Sequence, residues 1–230
     1  MLKNYFTKGE LLLWGLSVTV IILSFCVFDR HNYLTLSASI IGVTSLIFSA
    51  KGNPTGQLLM VVFSVLYGII SYSFAYYGEM ITYLGMTMPM AVVALISWLK
   101  NPYNGNKAQV KVNVIGKKET IFMWILALVV TVIFYFILEF FNTANLIPST
   151  LSVTTSFVAV YLTFRRSPYF ALAYAANDVV LIILWVLASI CDSRYISVLV
   201  CFCAFLINDV YCFINWQRMK ERQAQDQLSI

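Results

Sequence analysis

The sequence predicts an all-α, polytopic membrane protein with eight transmembrane helices. Three observations predict it. Hydrophobic residues make up 60% of the 230 positions and charged residues only 11%, where a soluble domain carries about 25% charged residues. Mean hydropathy is +0.82. Apolar runs recur eight times at lengths close to the roughly 20 residues that cross about 30 Å of hydrocarbon. The basic residues, finally, alternate in a way that only eight crossings explain.

The runs are 10–28, 33–50, 56–78, 80–99, 120–141, 147–164, 168–190 and 194–216. The first follows Lys3 and Lys8, as the apolar core of a secretory signal would. Its end, "SFCVFDRHN", offers no small-x-small cleavage site, so the sequence predicts a retained helix. "DRHN", "KGNPTG" and "YYGE" divide the first four runs, and Gly, Pro and Asn suit turns between helices. A polar stretch from Lys100 to Glu119 with five lysines precedes the fifth run, and "NTAN", "RRSP" and "CDSR" divide the rest. Two of the runs have 18 residues and must cross with little tilt.

Placing the N-terminus in the cytoplasm puts thirteen of the fifteen basic residues inside, leaving only Arg30 and Arg194 outside. This obeys the positive-inside rule and predicts cytoplasmic ends on both sides. Removing or adding a helix in the middle would scramble the separation.

An internal repeat adds detail. "LSASIIGVTSLIFSAKGNP" from Leu36 resembles "LSVTTSFVAVYLTFRRSP" from Leu151, an offset of 115, and "LISWLK" resembles "FINWQR", with Trp98 on Trp216 at an offset of 118. Segments two to four thus match segments six to eight. Units of three helices point the same way only if one helix lies between them, and segment five does so. The predicted order is 1+3+1+3 with parallel repeats, a transporter pattern with its solute site between the units near the midplane. The boundaries are an extra helix at 1–32, a first unit at 33–100, a basic loop and linker helix at 101–146, a second unit at 147–216 and a cytoplasmic tail at 217–230.

"NDV" occurs twice inside apolar runs, at Asn177-Asp178 and Asn208-Asp209. Ionisable groups at membrane depth cost about 2.5–3.5 kcal/mol each on insertion scales. Asp178 lies roughly 15 Å into its helix and Asp209 roughly 10 Å from the end of the next, so the pairs sit at similar depth. Ala171, Tyr174, Asp178, Ile182 and Trp185 share one helical face; Cys201, Phe205, Asn208, Cys212 and Asn215 share another. Rings, amide and carboxylate together suit a polar, ring-bearing solute. Such groups also join helices by hydrogen bonds. The sequence assigns Asp178 and Asn208 to solute contact and Asn177 and Asp209 to helix joining, with all four, Tyr174 and Trp185 as candidate site residues.

Other classes find less support. Two intramembrane aspartates, Asp178 and Asp209, would suit an aspartyl protease, but neither lies in the Gly-x-Gly-Asp context of that class. No phosphate loop, nucleophile elbow or zinc spacing appears, so no catalytic residue, metal or cofactor is expected. The lysines of the 100–119 stretch are not interleaved with aromatics and predict no nucleic-acid partner. The five cysteines read as packing residues, with a Cys26–Cys191 bridge as an alternative. Trp98 and Trp216 are expected as interface anchors, Glu79 and Glu139 as solvated ends, and His31 as a loop residue.

"VVFSVLYGIISYSFAYYGEMITY" from Val61 and "FLINDVYCFINWQRMKER" from Phe205 resemble the third and last helices of the PnuC family of vitamin-precursor transporters. The resemblance runs from about residue 33 to 222. It implies a fold similar to the SWEET sugar transporters, and a homotrimer in the bacterial cytoplasmic membrane among its lipids. It also implies facilitated diffusion of nicotinamide riboside, trapped by a cytoplasmic kinase. The family's Trp-x-x-Trp motif and following asparagine are altered here. Without a gap, Ala171 and Tyr174 stand at the tryptophans and Asp178 at the asparagine; a one-residue gap restores Asn177 but brings Phe170 and Ala173 to the ring positions. Relatives with altered motifs carry thiamine or deoxyribonucleosides, which are the alternative solutes.

Overall fold

The structure, a computed structural model, describes residues 5–73, 76–143 and 145–228; Lys3 lies outside them. Eight of its helices are long and apolar enough to cross a membrane. They are α1 (Lys8–Phe28), α2 (Tyr33–Ala50), α3 (Pro54–Ser73), α4 (Tyr77–Leu99), α5 (Lys117–Phe140), α6 (Leu146–Phe164), α7 (Phe170–Cys191) and α8 (Ile196–Leu228). The protein is a multi-pass membrane protein.

Local chemistry sets the ends. Thr7 and Glu10 form a reciprocal cap at the start of α1: the Glu10 N–H donates to Thr7 Oγ1 at 3.2 Å and the Thr7 N–H to Glu10 Oε2 at 2.6 Å. Asn32 Oδ1 caps α2 by accepting from the Thr35 N–H at 3.1 Å. The expected third run, 56–78, stops early: α3 ends at Ser73 and α4 starts at Tyr77. The start of α4 thus falls inside "YYGE", which divides the two runs in the sequence. Within α4, residues Tyr83–Thr87 form a π-helical turn, and the Met88 N–H donates to the Tyr83 carbonyl. Pro89 follows and has no N–H to offer the preceding turn.

The lysine-rich stretch folds as a hairpin. β1 (Pro102–Tyr103) pairs antiparallel with β2 (Asn106–Val110). Asn104 and Gly105 connect them with φ of 48° and 76°, the left-handed pair that a two-residue hairpin turn requires. Val110 N–H donates to the Gly52 carbonyl at 2.9 Å and Asn113 N–H to the Arg166 carbonyl at 3.1 Å. These bonds gather the α2–α3, α4–α5 and α6–α7 connections at one end of the bundle. α8 runs on to Leu228, beyond the expected 216, because its last turns pack on this hairpin. Gln223 accepts from the Val112 N–H at 2.8 Å and donates to the Val110 carbonyl at 3.1 Å.

Six helices close a ring. Around it α2 packs on α3, α3 on α4, α4 on α6, α6 on α7, α7 on α8, and α8 on α2. α1 lies outside against α2 and α8, and α5 lies outside against α6. Small residues make the ring tight. A Cβ on Gly56 would lie 2.6 Å from the Ser49 backbone nitrogen, and one on Gly42 would lie 2.2 Å from the Phe205 ring, the close approach that small residues allow in membrane bundles. α5 leaves Ile121, Trp124, Leu128, Val132 and Phe136 exposed, as a lipid-facing helix does. Cys26 and Cys191 are both free thiols, so no bridge joins them.

Trp98 and Trp216 do not anchor at a lipid interface as expected. Both are 0% exposed and their rings lie 5.4 Å apart inside the bundle. Each indole N–H donates to a helix-end carbonyl: Trp98 to Thr163 at 2.9 Å and Trp216 to Ser49 at 2.8 Å. An apolar ring with one buried donor seals a helix junction when such a carbonyl is within reach.

Candidate functional site in the ring

Inside the ring is a small cavity of about 20 Å³ lined by residues of six helices. α7 contributes Tyr174, Asn177 and Asp178, and α8 contributes Phe202, Phe205 and Asp209. α4 adds Tyr83 and Thr87, both from its π turn, and α6 adds Ser156. Leu46, Met60 and Phe63 close the remaining wall. Its aromatic rings are in mutual contact: Phe63 and Tyr83 at 6.1 Å, Phe63 and Phe205 at 5.3 Å, and Phe202 and Phe205 at 5.6 Å.

Asp178 and Asp209 are both buried, and their carboxyls lie within reach of each other. Asp178 Oδ2 and Asp209 Oδ1 have no hydrogen-bond partner. Buried polar atoms left without partners are rare, and these two border the cavity. Asn177 also borders it, but its oxygen is taken, accepting from Thr155 Oγ1 at 2.7 Å and Ser156 Oγ at 3.0 Å. It ties α7 to α6.

The other candidates point elsewhere. Asn208 does not line the cavity; its Nδ2 donates to Ser17 Oγ on α1 at 2.9 Å and to the Ala204 carbonyl at 2.8 Å. Trp185 does not line it either. Its indole N–H donates to Tyr67 Oη at 2.9 Å, and its ring packs 5.0 Å from Tyr76 and 5.6 Å from Tyr195. Ala171 is in the core rather than on the cavity wall.

Glu79 is corrected outright. Expected to be solvated, it is 1% exposed, and neither carboxyl oxygen has a hydrogen-bond partner. Because α4 begins at Tyr77, Glu79 falls inside the helix rather than before it. The start of α4 also presses on the end of α5: a Cβ on Gly78 would lie 2.6 Å from Thr143 Cγ2 and 2.9 Å from Leu138 Cδ2.

Tyr83, Thr87, Ser156, Met60, Phe63 and Phe202 were not singled out from the sequence. Apolar and aromatic residues in apolar helices carry no mark of which face is inward. For Tyr83 and Thr87, the proline two residues beyond Thr87 was the available signal. Among the described residues, no group of three His, Cys, Asp or Glu side chains is placed to hold a metal ion.

A ring of membrane helices around a small cavity that sets two carboxyls, each with an unpartnered oxygen, beside aromatic rings has the build of a solute transporter. Comparison with known proteins agrees. The chain belongs to the nicotinamide mononucleotide transporter family, whose model matches residues 32–218. The nicotinamide riboside transporter PnuC of Neisseria mucosa is 27% identical over 204 residues, covering 86% of this chain and 77% of that protein. Its namesake in Haemophilus influenzae is 21% identical over 195 residues, covering 83% and 82%. A crystal structure of the vitamin B3 transporter PnuC shares the fold, with a TM-score of 0.83 at 24% identity over 95% of this chain and 94% of that one. The protein is therefore a transporter and not an enzyme. The protease reading of Asp178 and Asp209 falls with this membership.

Proposed function

We propose that the protein carries nicotinamide riboside across the bacterial cytoplasmic membrane by facilitated diffusion, binding it in the ring cavity. The observation that carries this reading is the position of the unpartnered Asp178 and Asp209 oxygens on the wall of the ring cavity, in a chain matched by the family over residues 32–218. Nicotinamide riboside is a cationic aromatic ring bearing a polyhydroxylated sugar. Carboxyl oxygens accept from the sugar hydroxyls and attract the cation, and Tyr174, Tyr83 and Phe205 offer ring faces. Asn177 holds α7 in register beside them. Asn208 and Trp185 act one layer away, Asn208 by fixing α8 to α1 and Trp185 by fixing Tyr67. The present cavity is smaller than a nucleoside, so solute entry moves the aromatic wall.

The 1+3+1+3 order, in a fold related to the SWEET transporters, is part of the same reading. It is supported by the reciprocal bonds of Trp98 and Trp216, each reaching from the end of one three-helix unit to the first helix of the other. Cytoplasmic termini follow from the segregation of basic residues, and a homotrimer follows from the family resemblance, with α5 as an exposed face.

Uptake of labelled nicotinamide riboside into proteoliposomes, with no ATP and no imposed ion gradient, tests the proposal. Saturable uptake that stops at equal concentrations is expected. Transport of thiamine or a deoxynucleoside in its place would keep the carrier and replace its solute, the alternative that the altered Trp-x-x-Trp motif raises. Strict dependence on a proton gradient would overturn facilitated diffusion. A cysteine at position 107 is expected to resist impermeant thiol reagents in whole cells, and its labelling would reverse the orientation.

A further inference from the structure

A second, larger cavity of about 660 Å³ opens at the end of the bundle where the hairpin and the basic residues gather. Its walls come from the start of α1, the end of α2, the hairpin and the last turns of α8. Tyr5, Glu10, Lys51, Tyr211, Arg218 and Arg222 carry its chemistry. Tyr5, Glu10 and Arg222 lie outside the residues matched by the family.

The charges in this recess are unequal. Lys51 Nζ lies 3.1 Å from each Glu10 carboxyl oxygen, and Tyr211 Oη donates to Glu10 Oε1 at 2.9 Å. Glu10 is thus fully engaged by Lys51 and Tyr211. Arg218 and Arg222 remain. Three ion pairs occur among the described residues, Lys51–Glu10, Arg165–Glu119 and Arg194–Asp192, and neither arginine belongs to one. They are four residues apart on α8, so they lie on the same face about one helical turn apart. Two guanidinium forks at that spacing match the oxygens of a phosphate better than they match a single carboxylate. Asn106 and Gln109 add amides from the hairpin wall. Tyr5 is held in place by the Asn53 Nδ2 that donates to its oxygen at 2.9 Å, and its ring lies 5.0 Å from Lys51 Nζ. The volume exceeds what a phosphate fills and lies within the 300–1,000 Å³ typical of small-molecule sites.

We propose that this recess is a second binding site, separate from the solute cavity, for a phosphate group held between Arg218 and Arg222. Two sources supply that chemistry: a soluble phosphate monoester with a ring to lay against Tyr5 or Tyr211, and the phosphate of an anionic lipid at the membrane surface. The site does not depend on which solute the ring cavity carries.

Calorimetry on the purified full chain tests it, with inorganic phosphate, adenosine monophosphate and adenosine as probes. In nanodiscs of phosphatidylcholine, phosphate and adenosine monophosphate are expected to bind and adenosine to bind at least tenfold more weakly. Arg218→Gln and Arg222→Gln are each expected to weaken the phosphate probes about tenfold. Both side chains are exposed, so the variants keep the fold, and an unchanged melting temperature checks this. If lipid is the natural source, phosphatidylglycerol nanodiscs will abolish binding of the probes. Native mass spectrometry will then show phosphatidylglycerol retained by the parent and lost from the double variant. The proposal is overturned if the probes bind the double variant as they bind the parent. It is equally overturned if no probe binds in phosphatidylcholine and lipid retention is the same in both proteins.

Discussion

Asn177 and Asp178 are adjacent, yet a helix turns about 100° between them, and the two side chains face different neighbours. The same holds for Asn208 and Asp209. In each pair the amide bonds to an adjacent helix, Asn177 to α6 and Asn208 to α1, while the carboxyl borders the cavity. The repeated "NDV" thus separates helix fastening from the cavity wall by residue type. The two kinds of residue should respond oppositely to substitution. Asn177→Ala removes the acceptor shared by two hydroxyls, and interhelical hydrogen bonds in membranes are worth about 0.6–1.7 kcal/mol each. A lower melting temperature in detergent is expected. Asp178→Asn keeps the volume and replaces a carboxyl whose Oδ2 has no partner to lose. It should leave the melting temperature within a degree or two while weakening nicotinamide riboside by more than tenfold, about 1.4 kcal/mol. Equal binding by Asp178→Asn and the parent would remove Asp178 from the site.

At the scale of elements, the π turn in α4 brings Tyr83 and Thr87 to the cavity together. Such turns recur at functional sites because they re-aim one face of a helix. Pro89→Ala restores a backbone donor just beyond this turn and lets the helix regularise. The expected result is a melting temperature equal to or above that of the parent, with solute binding weakened about fivefold as Tyr83 rotates away. Unchanged binding would show that the π turn does not position Tyr83. The eight helices were legible in the sequence because each apolar run approaches membrane thickness and the basic residues alternate. Their ends were less so. α4 starts at Tyr77, three residues before the expected run, and the last turns of α8 are stabilised by Gln223 and the hairpin, contacts that hydropathy does not encode. Asn104-Gly105 was a readable hairpin signal that lysine content obscured. Asp178, Asp209 and Tyr174 stood out because polar groups are rare in such runs. Phe63 and Phe202 did not, because an inward phenylalanine looks like a lipid-facing one.

For the whole molecule, the ring is fastened at its hairpin end by matching bonds. Trp98 ends on the last turn of α6, and Trp216 on the last turn of α2. Beside them Ser97 donates to the Phe164 carbonyl at 2.9 Å and Asn215 to the Ala50 carbonyl at 2.6 Å. Phe170 lies edge-on to both indoles, 6.1 Å from Trp98 and 4.8 Å from Trp216. If the molecule is two parallel three-helix units, the two indoles hold equivalent places and their loss should cost the same. Trp98→Phe and Trp216→Phe each remove one indole hydrogen bond and open space in a closed layer; the Thr163 and Ser49 carbonyls keep the Arg166 and Gly52 N–H groups, so the hydrogen-bond part of the loss is about 0.5–1.5 kcal/mol. Melting temperatures in one detergent should fall by equal amounts. Because the rings touch, the double variant should lose less than the two single losses together, as coupled sites do. A large drop for one tryptophan and none for the other would show that the seam is one-sided, and the repeat would then not extend to the packing that joins the units.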